Sequence, residues 1–267
     1  LQWLRTVNNP GSLNMHRAVV ESGCKAGSGR DEAMDVWYNS AKAIVGAYIN
    51  LFIQKIHIDG RENIPEGPKI VVANHALASD GFLLPFIFPE KIHYMIQSEL
   101  FGLPLLGKLL ALAEQIPVVK GRGQEALEQA KAWLAQGATV ALFPEGRLNN
   151  GQQLLRAYTG AARLTLESGA PVLPVGFFTP PQFARTLGSR LLGRPGHGAW
   201  QFGGPSFISI GDTWRPEVDC PAADAAYPYT RLVHSLTDDL MTRINLLVER
   251  ARAYAASWLP APSSEEV

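Results

Sequence analysis

From residue 35 onward the apolar positions switch between two periods. Residues 35–53 place Trp37, Ala41, Ile44, Val45, Tyr48, Leu51 and Phe52 on one face and Asn39, Lys42, Gly46 and Asn50 on the other. That spacing predicts an amphipathic helix. Short strand-like runs follow at 53–60 (IQKIHIDG), 69–73 (KIVVA), 91–96 (KIHYMI), 115–119 (QIPVV), 138–143 (ATVALF) and 170–178 (APVLPVGFF). Between them lie an apolar run at 81–88, an apolar and helical run at 100–113, an amphipathic helix over 123–137 with a glycine stop, and a helix over 157–169. A long amphipathic helix closes the pattern at 231–258. Strands alternating with helices predict an α/β fold: a single domain with a mixed, largely parallel central sheet flanked by helices. Residues 168–211 contain no Asp or Glu, carry Arg185, Arg190 and Arg194, and read as a basic loop region followed by short strands, WQFGG and FISIG.

Composition narrows the classes. Of 267 residues 46% are apolar, which supplies a sizeable core and excludes disorder for most of the chain. Lys+Arg and Asp+Glu both number 24, so nothing general points to nucleic acid, and any anion binding is local. Cys24 and Cys220 form no CxxC and no metal-type spacing, against a disulfide scaffold or zinc module and in keeping with a reducing compartment. No apolar run reaches the roughly 18 residues of a spanning helix, and no signal-peptide pattern is present. Residues 1–33 are poorly periodic and are expected to be a loosely ordered leader, or sequence upstream of the true start. The domain is expected over 34–258, with a tail at 259–267.

Four blocks carry candidate chemistry, three of them directly after predicted strands. The first is NHALASD (74–80). A histidine at a strand's carboxyl end can act as a general base, and a carboxylate on its far nitrogen fixes the tautomer. Five helical residues turn through about 140°, so His75 and Asp80 meet only if His75 sits in the turn and Asp80 in the first helical turn. Taken alone, the pair reads first as a strand-end histidine with Asp80 as a helix cap. The second block, IPVVKGRG (116–123), puts Lys120 and Arg122 around Gly121 before a helix, where an anion can bind. The third, FPEGR (143–147), is a tight turn bearing Glu145, Gly146 and the fixed charge of Arg147. The fourth, APVLPVGF (170–177), is a buried strand bracketed by prolines.

In this order, NH-x4-D, IPV-x-K, FPEG and PV-x-PV resemble the sequence blocks of the glycerolipid acyltransferases, which include the 1-acylglycerol-3-phosphate and glycerol-3-phosphate acyltransferases. The resemblance covers roughly 35–250. It implies that His75 deprotonates an acceptor hydroxyl and Asp80 orients His75. The alkoxide then attacks the thioester of acyl-CoA or acyl carrier protein, with no metal or redox cofactor. It also implies that Asn74, Lys120, Arg122, Glu145, Gly146 and Arg147 bind substrate. Glu145 would orient basic side chains or bond an acceptor hydroxyl. One departure is evident: the common pattern reads FPEG-Thr-Arg, whereas here Arg147 directly follows Gly146 and Leu148 takes the usual Arg position. That shift leaves Lys120, Arg122 or Arg156 to supply more of the charge.

The implied partners are a lysophospholipid, an acyl thioester or its carrier protein, and a membrane surface, without nucleic acid. The implied attachment is peripheral or monotopic at a cytoplasmic membrane face. Residues 35–53, 81–88 and 100–113 then read as an interfacial helix pair and an acyl-chain groove. The leading expectation is conversion of 1-acylglycerol-3-phosphate to phosphatidate. The alternatives are another lysolipid or amino-lipid acceptor, a His/Asp hydrolase or thioesterase, and a silent lipid-binding protein.

Overall fold

The computed structural model describes residues 42–43, 45–149, 151, 153–191, 194–216 and 229–258; the side chains of 189–191 and 194–197 are not described. The expected leader (1–33) and tail (259–267), and residues 35–41 and 44 of the first helix, lie outside them.

Helical residues 45–52 (α1) lead into β1 (Lys55–Asp59) and β2 (Lys69–Ala73). Then come α2 (Asp80–Ile87), β3 (Ile92–Gln97), α3 (Leu106–Leu112), β4 (Ile116–Val118), α4 (Gly123–Ala135) and β5 (Thr139–Leu142). The chain continues through α5 (Gly160–Ser168), β6 (Val172–Phe178), β7 (Ala184–Leu191), β8 (Arg194–Gln201), β9 (Pro205–Ile210) and α6 (Tyr229–Trp258). Seven strands form one sheet in the order β1-β9-β6-β2-β5-β3-β4. β6, β2, β5, β3 and β4 are mutually parallel; β9 runs against β6, and β1 follows β9.

β2 lies between β5 and β6 and is buried along its whole length, which is why it reads as an unbroken apolar run. Its alternate residues feed two cores. Ile70 and Val72 pack with Leu127 and Ala130 of α4, Leu164 of α5 and Ile244 of α6. Val71 and Ala73 pack with Ile49 of α1 and Leu83, Leu84 and Ile87 of α2. Helices therefore cover both sheet faces in three layers. Truncating one of these fully buried leucines to Ala would cost about 2–5 kcal/mol.

Helix α2 is a core element, which corrects the reading of 81–88 as part of an acyl groove: Leu83, Leu84, Ile87 and Phe88 are buried. Pro85 stands inside it. Proline has no N–H, so the carbonyl of Gly81 loses its helical donor. The Tyr94 hydroxyl supplies one instead, at 2.8 Å. The expected basic loop is also corrected: β7 and β8 pair antiparallel as a separate two-stranded sheet. Strand pairing here satisfies the backbone although the sequence lacks apolar alternation. No described helix is long and apolar enough to cross a membrane.

Candidate active site

The parallel strands bring the ends of β2, β5, β3 and β4 to one sheet edge, and three of the four blocks, those at 74–80, 116–123 and 143–147, gather there. After β2 the chain leaves the sheet at Asn74. The Asn74 amide is buried and fully used: Nδ2 donates to the Phe177 carbonyl at 3.0 Å, and Oδ1 accepts the Phe177 N–H at 2.7 Å. The substrate contact expected of Asn74 is thus replaced by a clamp between the ends of β2 and β6.

Residues 76–79 fold back before α2 begins, and that turn solves the spacing problem. The Asp80 N–H donates to the Leu77 carbonyl at 3.0 Å, while Asp80 Oδ2 accepts the Leu77 N–H at 2.7 Å. Asp80 Oδ2 then lies 3.5 Å from His75 Nδ1. This approach is longer than a well-formed hydrogen bond, and Nδ1, shut off from solvent, has no other partner among the described residues. Contacts of this kind commonly shorten when substrate binds. The His75 ring stacks on Phe143, with centroids 4.0 Å apart and planes 12° from parallel, which fixes its orientation. Its side chain keeps 21% exposure, so one edge reaches solvent.

Asp80 is 1% exposed. Burial raises its pKa above the ordinary carboxylate range, and the His75 contact and the Leu77 and Ala76 amides oppose the rise without cancelling it. Tyr48 of α1 approaches the same carboxylate. Burial pushes its phenol up and the Asp80 charge adds to the rise, while the hydroxyl donates to the Gln201 carbonyl at 2.7 Å.

Glu145 is equally buried, at 2% exposure, but differently used. It accepts the His75 N–H at 2.9 Å, the Asn149 amide on both oxygens at 2.9 Å, and the Leu155 N–H at 2.7 Å. The His75 carbonyl in turn accepts the Asn149 N–H at 2.8 Å. Among the described residues Glu145 forms no ion pair with a basic side chain; both its oxygens are taken by protein donors, and it holds the backbone of His75 in place. Gly146 turns the chain at φ +64°, and a methyl there would lie 2.8 Å from the Tyr158 ring. Its carbonyl accepts from Gln97 Nε2 at 2.6 Å, tying β3 to the turn.

The basic residues divide. Arg122 is engaged by Glu125, with Nε to Oε1 at 2.8 Å, so it is a partly neutralised surface pair. Lys120 and Arg147 are exposed, and no hydrogen bond or ion pair ties either to another described residue. Leu148 turns the other way: a methyl on Gly198 of β8 would lie 3.7 Å from its Cδ1. Sequence reasoning missed Phe143, Asn149, Gln97 and the Phe177 backbone. Only Asn149, four positions after Glu145, left a local signal. Among the described residues no group of three or more His, Cys, Asp or Glu could hold a metal ion.

Comparison with known proteins fits this arrangement. Residues 55–177 match the family model described as Acyltransferase. A 1-acyl-sn-glycerol-3-phosphate acyltransferase of Pseudomonas aeruginosa is 31% identical over 125 residues, covering 45% of this chain and 48% of that protein. One from Limnanthes alba is 28% identical over 136 residues, covering 49% and 48%. The chain spans about half the length of these curated relatives. The crystal structure of the 1-acyl-sn-glycerophosphate (LPA) acyltransferase PlsC from Thermotoga maritima superposes with a TM-score of 0.61 at 20% identity, over 93% of this chain and 91% of that one. That likeness is one of fold.

Proposed function

From the match of residues 55–177 to the Acyltransferase family model we propose that this chain moves a fatty acyl group from a thioester to the free hydroxyl of a lysophospholipid. The acceptor we favour is 1-acylglycerol-3-phosphate, giving phosphatidate. The observation that carries the reading is the His75–Asp80 pair: an oriented imidazole over a buried carboxylate, 3.5 Å apart at the sheet's carboxyl edge.

The chemistry follows from that geometry. His75 holds its Nδ1 proton toward Asp80, so Nε2 is the basic nitrogen and takes the acceptor's hydroxyl proton. The alkoxide adds to the thioester carbonyl. The tetrahedral intermediate collapses by expelling the thiolate, which takes the proton back from His75. Asp80 stabilises the transient imidazolium and remains ionised. The protein's own groups supply the acid–base work, and acyl-CoA or an acyl carrier protein enters as co-substrate. Arg147 and Lys120, exposed and uncommitted, provide charge for the acceptor's phosphate. Attachment to the membrane is peripheral.

The test is transfer of labelled acyl groups, from CoA and from carrier protein, to a panel of lysolipids. Transfer to 1-acylglycerol-3-phosphate above other acceptors is expected. Hydrolysis of the thioester with no acylated lipid would make the enzyme a thioesterase instead.

A further inference from the structure

Helix α3 is seated backwards. Its sequence, LGKLLAL, is almost wholly apolar, yet its one buried residue is Gly107. A methyl on Gly107 would stand 1.9 Å from the Phe101 carbonyl oxygen, so the helix lies backbone-to-backbone on the turn before it. Leu109 and Leu110 are half-buried, and the other leucines look outward. Leu106 and Leu112 are exposed, as is Val119 just beyond β4, and Leu105 is 71% exposed.

Leu105 is also strained. Its φ is 65° and ψ −57°, and the Leu106 N–H donates to the Pro104 carbonyl at 2.8 Å across it. This is a γ-turn with positive φ, which glycine enters freely and a leucine enters only under strain. The strain holds an apolar side chain in water. The location is telling as well. Gln97, at the end of β3, is bonded to Gly146, so the segment leading to Leu105 begins beside the catalytic turn. Exposed cations flank the patch: Lys108 within α3, and Lys120 and Arg147 on the neighbouring strand ends. Of the nearby acids, Glu99 is exposed, Glu114 pairs with Lys91 and Glu125 pairs with Arg122.

We propose that α3 and its γ-turn are the surface on which this protein docks to an anionic lipid bilayer, with Leu105 and Leu106 entering the acyl layer and Lys108 meeting the headgroups. The proposal rests on the lysolipid reading, which places the acceptor in that bilayer. An exposed apolar turn with Lys108 in the same helix and Lys120 and Arg147 at the neighbouring strand ends matches the chemistry of such a surface. Docking there brings the catalytic edge down onto its substrate.

The test uses the full chain with vesicles of equal parts phosphatidylcholine and phosphatidylglycerol, and in parallel a short-chain lysolipid kept monomeric. Leu105→Asp is expected to weaken vesicle partitioning about tenfold or more while leaving turnover of the monomeric acceptor unchanged. Leu105→Gly is expected to raise the melting temperature, because it relieves the turn, and still to weaken partitioning. Stability and docking moving in opposite directions is a signature that a merely structural role does not give. Partitioning unchanged in both variants overturns the proposal. So does a loss confined to transfer from acyl carrier protein, which would make the patch a protein-docking site. Vesicle binding with this pattern but no acyl transfer to any acceptor would uphold the surface and sink the functional reading.

Discussion

Two buried carboxylates stand at the same sheet edge, and they are built in opposite ways. Glu145 is ringed by donors from His75, Asn149 and Leu155. Asp80 meets its turn's amides and an imidazole at 3.5 Å, and burial holds its pKa up. A saturated carboxylate is a brace, and its charge is already spent on fixed dipoles. An incompletely satisfied one is costly to ionise and keeps charge in hand for a proton arriving on its neighbour. On the proposed mechanism, the pair separates holding a base in place from making it work.

Substitutions can break that division. The largest effect belongs to His75→Ala, which should lower the acyl-transfer rate about a thousandfold; a variant that kept full rate would remove the base from the scheme. Next is Asp80→Asn, expected to lose about a hundredfold in rate, the lower end of the acid–base range, with no loss of melting temperature. Its pH dependence has a definite sign. Asp80 releases its proton at a higher pH folded than unfolded, so between those values the folded state binds the extra proton and stability falls as pH rises. Asparagine has no such slope. The variant's thermal advantage should be absent in strong acid and fully developed at neutral pH, as calorimetry across that range will record.

Glu145→Gln should do the reverse. An amide NH2 would face N–H donors, costing about 2–4 kcal/mol and lowering the melting temperature by roughly 5–15 °C, with activity recovered at low temperature. If it melted no earlier than Asp80→Asn, the contrast between the two sites would collapse. The smallest effect is on the exposed cations. Arg147→Ala should raise the acceptor KM about tenfold, near 1.4 kcal/mol, with kcat kept. Arg122→Ala, whose guanidinium is engaged by Glu125, should change KM by less than about twofold.

Much of the frame was legible in the chain. β2 occupies the stretch its apolar run marks, because a strand covered on both faces needs no alternation. α5 ends where Gly169 adopts φ +67°. The hairpin β7–β8 was not legible, since its sequence, rich in Gly and Arg, lacks the apolar alternation that marks a strand. Nor was the split between the two carboxylates. The His75 backbone that Glu145 holds lies 70 positions from it, and the Phe177 backbone that Asn74 clamps lies 103 away, both beyond any local spacing rule. In α3 the run of leucines read correctly as helix, but its direction of exposure depended on one glycine meeting one carbonyl.

The Asn74 clamp has a consequence in time. Its partner, Phe177, follows by 103 residues, and until that strand is made the Asn74 amide lacks the backbone it clamps. A growing polypeptide carries its histidine and aspartate long before it can use them. That end of β2 is therefore closed only once the sixth strand has paired beside the second.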